Sequence, residues 1–249
     1  MRYKQIASIK KETIFMKLHR FIGDFNLTAD SLFSEEKELV HQLKSVLKIK
    51  KGEKIILCDG KGQEASFSVT PQGRGFIFNR ESDILSAWMP LNKITLCLSV
   101  LKKENFELVV QKATELGVSR IIPVISVRTV KTGLNMTRIT KIAKEAAEQS
   151  GRGDIPDILP ISLFEKCLAI EGNKIILHPA LKNKKDPILN TNASTKIIFI
   201  GPEGGWTNEE ILTAKQAGAS CVSFGPMIMR SETAAIIASF AFSQLLNNY

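Results

Sequence analysis

Lys196-Ile197-Ile198-Phe199-Ile200-Gly201-Pro202-Glu203-Gly204-Gly205 joins a β-prone apolar run directly to a glycine-rich turn. Four consecutive apolar residues leave no polar face, so this stretch predicts a strand covered on both sides. Just beyond the turn, Thr207-x-x-Glu210 has the spacing of a capping box and predicts the start of a helix over Asn208–Ala217. Strand, glycine turn and helix together make the unit of a parallel α/β sheet, and open sheets of that kind take their ligands at the carboxyl ends of strands. Glycine there lets backbone groups approach a ligand closely. A P-loop needs G-x-x-x-x-G-K-[ST] and a dinucleotide fold needs G-x-G-x-x-G after its first strand; this turn has neither pattern. Taken alone, it also fits a tight turn that binds nothing.

Outward from this segment the same rhythm repeats. Ile94–Leu101, Ile121–Ile125, Lys174–Leu177 and Ser220–Phe224 read as further strands, with helices predicted over Phe106–Leu116 and Thr137–Ser150. Toward the amino terminus the pattern changes. His19–Ile22, Lys54–Cys58, Ala65–Thr70 and Gly75–Phe78 are short β-prone pieces separated by Asp59-Gly60-Lys61-Gly62 and Pro71-Gln72-Gly73. They predict a small β-barrel, interrupted by one helix over Ser34–Leu47 with Ser34 as its cap and Leu39, Val40, Leu43, Val46 and Leu47 at helical spacing. Ser82–Asn92 reads as the linker. The expected division is an extension at 1–15, a small barrel over 16–85 and an α/β domain over 86–249.

The chain has 249 residues, 44% of them hydrophobic, which is enough for a substantial core. Its 34 Lys+Arg against 25 Asp+Glu give a formal charge of +9, which favours a polyanionic partner. Cys58, Cys97, Cys167 and Cys221 are far apart and form no C-x-x-C pair or Cys/His cluster, so they read as buried thiols and no metal is expected. The apolar stretch Thr233–Leu246 is interrupted by Ser239 and Ser243 and is too short to span a bilayer; no membrane partner and a cytoplasmic location are expected.

A second candidate loop is Ser223-Phe224-Gly225-Pro226-Met227-Ile228-Met229-Arg230-Ser231-Glu232-Thr233, which opens the apolar C-terminal helix. It sets an Arg-x-Glu-Thr group beside apolar residues, as a ligand site requires, although Arg230 and Glu232 also fit a surface ion pair. A third element, Gln111-Lys112-Ala113-Thr114-Glu115-Leu116-Gly117-Val118, reads as a helix ended by glycine.

Together with Ala146-Ala147-Glu148-Gln149-Ser150-x-Arg152, followed by Pro156, these segments resemble the RsmE family of 16S ribosomal RNA (uracil-N3)-methyltransferases in the SPOUT superfamily. His19-Arg20-Phe21, and Val46-Leu47-Lys48 ahead of Asp59-Gly60-x-Gly62, extend the resemblance into the amino-terminal part. Lys48 and Met227 stand where that family usually has arginine, and Ile139 where it usually has tryptophan.

The resemblance implies a PUA-like RNA-binding barrel joined to an α/β SPOUT domain whose parallel sheet carries a C-terminal trefoil knot. It implies S-adenosyl-L-methionine held by Leu177, His178 and Pro179, by Gly201, Pro202, Glu203, Gly204 and Gly205, and by Ser223, Phe224, Gly225, Ile228, Met229 and Arg230. Arg230 is the expected catalytic cation, stabilising negative charge on a uracil whose N3 proton is leaving, and Glu232 the expected base with Glu203 behind it. Arg20, Lys48 and Arg152 are the expected phosphate contacts. The implied partner is 16S ribosomal RNA in the small ribosomal subunit, and the implied assembly is a homodimer formed through the C-terminal helix. A SPOUT enzyme acting on transfer RNA and a non-catalytic RNA-binding protein remain as alternatives.

Overall fold

The computed structural model describes residues 18–90, 92–130, 133–179 and 195–244. The extension expected at 1–15 lies outside them, as do Met16, Lys17 and Leu246. The apolar runs that predicted covered strands form one parallel sheet: β7 (Lys93–Ser99), β8 (Arg120–Ile125), β9 (Asp157–Ile158), β10 (Ser162–Leu163), β11 (Asn173–Leu177), β12 (Thr195–Ile200) and β13 (Ser220–Val222). Their order is β10-β8-β7-β12-β11-β13, with β9 beside β8. In register, Ile198 faces Leu96 and Ile176 faces Phe199 and Cys221.

Period-two alternation sends side chains to two cores. Ile94, Leu96, Leu98, Ile198 and Ile200 pack beneath α2 (Lys103–Glu115), α3 (Met136–Ser150) and α6 (Ser231–Gln244). On the other face Cys97, Ile122, Ile197 and Phe199 pack against α4 (Phe164–Leu168) and α5 (Asn208–Gln216). Local sequence sets the helix ends. Asn135 accepts the Arg138 N–H to start α3, and Gly151, at φ +85°, ends it in the left-handed conformation that favours glycine. Thr207 and Glu210 form the expected capping box at the start of α5.

The amino-terminal pieces form a second sheet. Its strands are β1 (His19–Ile22), β2 (Ser31–Ser34), β3 (Lys54–Cys58), β4 (Gln63–Gln72), β5 (Gly75–Arg80) and β6 (Leu85–Ser86). The order is β1-β3-β4-β5-β2, with β6 on β4; β1 runs parallel to β3 and the other pairs are antiparallel. Alternate residues of β4, Ala65, Phe67 and Val69, point into its core.

The predicted helix here is shorter and starts later. Ser34 ends β2, and its hydroxyl accepts the Glu36 N–H at 3.2 Å instead of capping a helix. α1 covers Lys37–His41 and continues as a π-helical turn, Gln42–Val46, closed by Leu47 N–H to Gln42 O at 2.9 Å. The wider turn breaks the 3.6-residue spacing: Leu39 and Leu43 stay buried, whereas Val46 is 63% exposed.

The two sheets meet closely. Ile22 N–H donates to Glu148 Oε1 at 2.9 Å, and Ile22, Cys58 and Ala147 share a small apolar core. Within the expected linker, Leu85–Ser86 pairs with β4, Trp88 bridges to Arg152, and Gly153 N–H donates to Trp88 O at 2.7 Å. A Cβ on Gly153 would lie 2.5 Å from that of Ala87, so glycine permits this approach.

Candidate functional site

Three strand ends, those of β11, β12 and β13, open with the start of α6 onto a cavity of about 660 Å³. The Gly201–Gly205 segment is shaped by its own turn and by a tryptophan. Gly205 N–H donates to Pro202 O at 2.8 Å to close the turn, and Gly205 sits at φ +69°. A Cβ on Gly201 would come within 3.1 Å of the Trp206 ring. That ring packs on Phe164 at 4.8 Å between centroids, and its Nε1–H donates to Leu177 O at 3.1 Å, tying the β12 loop to the end of β11. His178 N–H donates to Val222 O at 2.9 Å and ties β11 to β13. Burial, and secondly Lys215, holds the His178 imidazole below its ordinary pKa, which favours the neutral ring near pH 7.

Every residue expected to hold the cofactor lines this cavity except Gly225. Gly225 is in the same loop, at φ +122°, where its carbonyl accepts from Ser223 Oγ at 3.0 Å; it shapes the loop without forming the wall. Both expected catalytic residues also line the cavity. Arg230 is exposed at its rim. Glu232 has one carboxylate oxygen, Oε2, buried with no hydrogen-bond partner among the described residues, so Arg230 does not hold it. A buried acceptor left unpaired costs about 1–3 kcal/mol. Glu203 is exposed and accepts the Lys102 N–H at 3.4 Å.

The sequence reading missed Lys102, Asn105, Arg128 and Trp206, all of which line the cavity. Trp206 follows the glycine run directly, and its position was the available signal. Lys102, Asn105 and Arg128 come from other βα junctions and carried none.

The expected phosphate contacts do not behave alike. Lys48 is exposed, with an unusual φ of +53°. Arg20 forms an ion pair with Glu64, donates to the Cys58 thiol at 3.1 Å, and has a side chain only 14% exposed. Arg152 must be corrected. It is fully buried, donates to Thr114 O at 2.9 Å and Val118 O at 2.8 Å, and pairs with Asp154 at 2.9 Å. These bonds hold the turn after α2, and full burial keeps the guanidinium from RNA.

A larger cleft, about 990 Å³, lies at the junction of the sheets between β1, the π-helical turn, α2 and α3. It contains residues of the Gln111–Val118 and Ala146–Arg152 segments, which therefore lie away from the first cavity. Two of its acids are ion-paired: Glu107 binds Arg138 at 2.6 Å and Glu115 binds Lys112 at 2.9 Å. Among the described residues no cluster of three or more His, Cys, Asp or Glu could hold a metal, and no helix is long and apolar enough to cross a membrane.

Residues 89–243 match the family model for the RNA methyltransferase domain. The chain is 31% identical over 233 residues to ribosomal RNA small subunit methyltransferase E of Bacillus subtilis, an alignment covering 85% of this chain and 89% of that protein. The chain belongs to the ribosomal RNA small subunit methyltransferase E family. Its relative of the same name in Rickettsia conorii is 30% identical over 80% of this chain and 84% of its own length. Among solved structures of the methyltransferase E family, that from Neisseria gonorrhoeae, bound to S-adenosyl methionine, superposes with a TM-score of 0.77 at 29% identity, covering 92% of this chain and 98% of that one. A Legionella pneumophila protein solved with bound SAM gives 0.81 at 28% identity, covering 92% and 97%.

Proposed function

We propose that this chain transfers the methyl group of S-adenosylmethionine to N3 of a uridine in 16S ribosomal RNA of the small ribosomal subunit. The observation that carries the reading is the convergence of the three strand-end loops on one cavity lined by Glu232, whose buried Oε2 has no hydrogen-bond partner among the described residues. The residues suit the cofactor. The turn at Gly201–Gly205 and the backbone of Leu177–Pro179 offer main-chain groups around a cavity of fitting size, and Glu232, which lines the cavity, keeps one carboxylate oxygen that no described residue binds. When bound, the cofactor supplies an electrophilic methyl carbon on a sulfonium.

The chain's own residues do the rest. Uridine N3 carries a proton at neutral pH, so it becomes nucleophilic only as that proton leaves. Glu232 accepts the proton, while the Arg230 guanidinium, at the rim and free of that carboxylate oxygen, stabilises the charge that spreads over O2 and O4. N3 lies on the pairing edge of the base, so the uridine enters unpaired or extruded from its stack. Lys48, and Arg20 where its ion pair yields, contact phosphates.

The finer architecture belongs to the same reading. The chain passes from β12 to β13 across β11 and returns in α6 over β7 and β12, which supports a C-terminal trefoil knot. The amino-terminal part, 16–85, whose described residues carry β1 to β5 and the start of β6, acts as a PUA-like RNA-binding barrel beside the SPOUT domain of 86–249. Exposed Met227, Ile228 and Phe240 beside the cavity and on α6 give a homodimer its contact, and the enzyme works in the cytoplasm.

The test is mass spectrometry of 16S ribosomal RNA nucleosides from cells lacking the protein. Loss of 3-methyluridine, restored by the wild-type chain, is expected. Unchanged 3-methyluridine overturns the substrate assignment.

A further inference from the structure

Arg128 belongs to the turn that follows β8, far in sequence from the glycine loop it touches. That turn is rigid for local reasons. Ser126 N–H donates to Thr129 Oγ1 at 2.9 Å, and Thr129 N–H donates to Ser126 O at 3.0 Å. From the side of α5, Glu210 Oε1 accepts the Val127 N–H at 2.9 Å. The backbone on both sides of Arg128 is thus fixed, and the side chain runs across Gly204. Its stem carbons lie 3.4–4.0 Å from where a Gly204 Cβ would be. Its Nη1 donates to Gly204 O at 2.9 Å and to Trp206 O at 3.4 Å.

Those two carbonyls belong to the peptide planes whose N–H groups are also held. Gly205 N–H goes to Pro202 O at 2.8 Å, and Thr207 N–H goes to Glu210 Oε2 at 2.8 Å. Each plane is therefore gripped from opposite sides, by Arg128 on its carbonyl and by the turn or by Glu210 on its amide. A cation bonded to carbonyl oxygens makes a stronger contact than a neutral donor, and a loop held in one orientation before its ligand arrives spends less of its binding energy on ordering.

We infer that Arg128 is a positioning residue for the methyl donor, acting through the Gly201–Trp206 loop and not on the RNA. The inference rests on the reading of the cavity as the S-adenosylmethionine site. Arg128→Ala is expected to weaken S-adenosylmethionine binding, and to raise its KM, by about tenfold or more, consistent with loss of a charge-assisted hydrogen bond. kcat at saturating donor and the KM for ribosomal RNA stay within about twofold. Arg128→Lys recovers part of the affinity, because an ammonium reaches one carbonyl but does not reproduce the fork.

The measurement is calorimetric titration of S-adenosylmethionine into the purified full chain and both variants, followed by steady-state methylation of small-subunit ribosomal RNA. Melting curves establish that each variant folds, and the lysine variant carries the test if the alanine variant does not. No heat from the wild type overturns the cofactor reading and this inference together. Normal wild-type binding with equally tight binding by the variants overturns the inference alone. A raised KM for RNA with unchanged donor affinity overturns it too, and places Arg128 against the substrate.

Discussion

The cleft at the junction of the sheets is larger than the cavity at the strand ends, about 990 Å³ against about 660 Å³, yet it is on the smaller one that the loops after β11, β12 and β13 converge. The junction cleft is walled by side chains of α2, α3, β1 and the π-helical turn, and two of its acids are held by residues outside it, Glu107 by Arg138 and Glu115 by Lys112. The strand-end cavity is lined by the loops after β11, β12 and β13 and by Glu232, one of whose carboxylate oxygens has no partner among the described residues. Volume measures how far two surfaces fail to meet, whereas unmet bonding capacity marks where a ligand completes the structure. Substitutions near the junction should therefore act on stability, and substitutions at the cavity on turnover.

The strongest break in that contrast is expected from Arg152→Ala. Removing a buried cation strands the Val118 carbonyl and Asp154 and leaves Thr114 O with the Gly117 N–H alone, and loss of one partner from a buried pair costs about 3–5 kcal/mol. Thermal or urea unfolding measures it. A loss of RNA affinity with unchanged stability would instead restore Arg152 as a phosphate contact.

Next in size, Arg230→Ala should lower methyl transfer by about a hundredfold to a thousandfold, or about 2.7–4 kcal/mol, as for removal of a fixed donor from an oxyanion site. Donor affinity should stay within about tenfold and the melting temperature should not move, since Arg230 is exposed. Single-turnover assays beside calorimetry separate the two effects, and near-normal turnover discards the mechanism.

Gly153→Ala should cost about 1–3 kcal/mol, because the new Cβ meets Ala87 at 2.5 Å and something must shift. Donor affinity should be unaffected, so a fall in affinity matching the fall in stability would show that junction and cavity are coupled.

The smallest effect is expected from Glu148→Gln. Burial raises the Glu148 pKa, opposed by the Ile22 N–H that it accepts. A carboxyl with a raised folded pKa contributes stability that is fully present below the ordinary carboxylate pKa and is lost as pH rises through the folded value. The amide keeps an acceptor for Ile22 and does not ionise, so the variant should gain on the wild type as pH rises from about 4 to 7. Melting curves across that range, parallel for the two proteins, would show that Glu148 ionises without cost.

What was legible in the sequence follows the range of the interactions involved. The strand–turn–helix unit at Lys196–Glu210 could be read because its apolar run, glycines and cap are neighbours in the chain. Five of the seven strands of the parallel sheet were legible for the same reason, whereas β9 and β10, two residues each, and the short α4 were not. Arg128 was not, since its carbonyl partners are 76 and 78 residues away. Arg152 was misread because a charge pattern carries no information on burial; the groups that satisfy it come from the end of α2 and from Asp154. Ser34 looked like a cap because its spacing to the apolar positions was right, but the antiparallel partner Phe76 had claimed its backbone for a strand.

The order β12-β11-β13 bears on how the protein is made. β11 is synthesised before both of its neighbours, so as the chain leaves the ribosome this apolar strand waits with two open edges until Ile200 has emerged, and with one until Val222 has. Contacts that bridge long stretches of chain form slowly, and unpaired apolar edges are where nascent chains stick to one another. A chain stopped short of Ser220 keeps one of those edges permanently, and aggregation of such fragments is the cost of placing an early strand between two late ones.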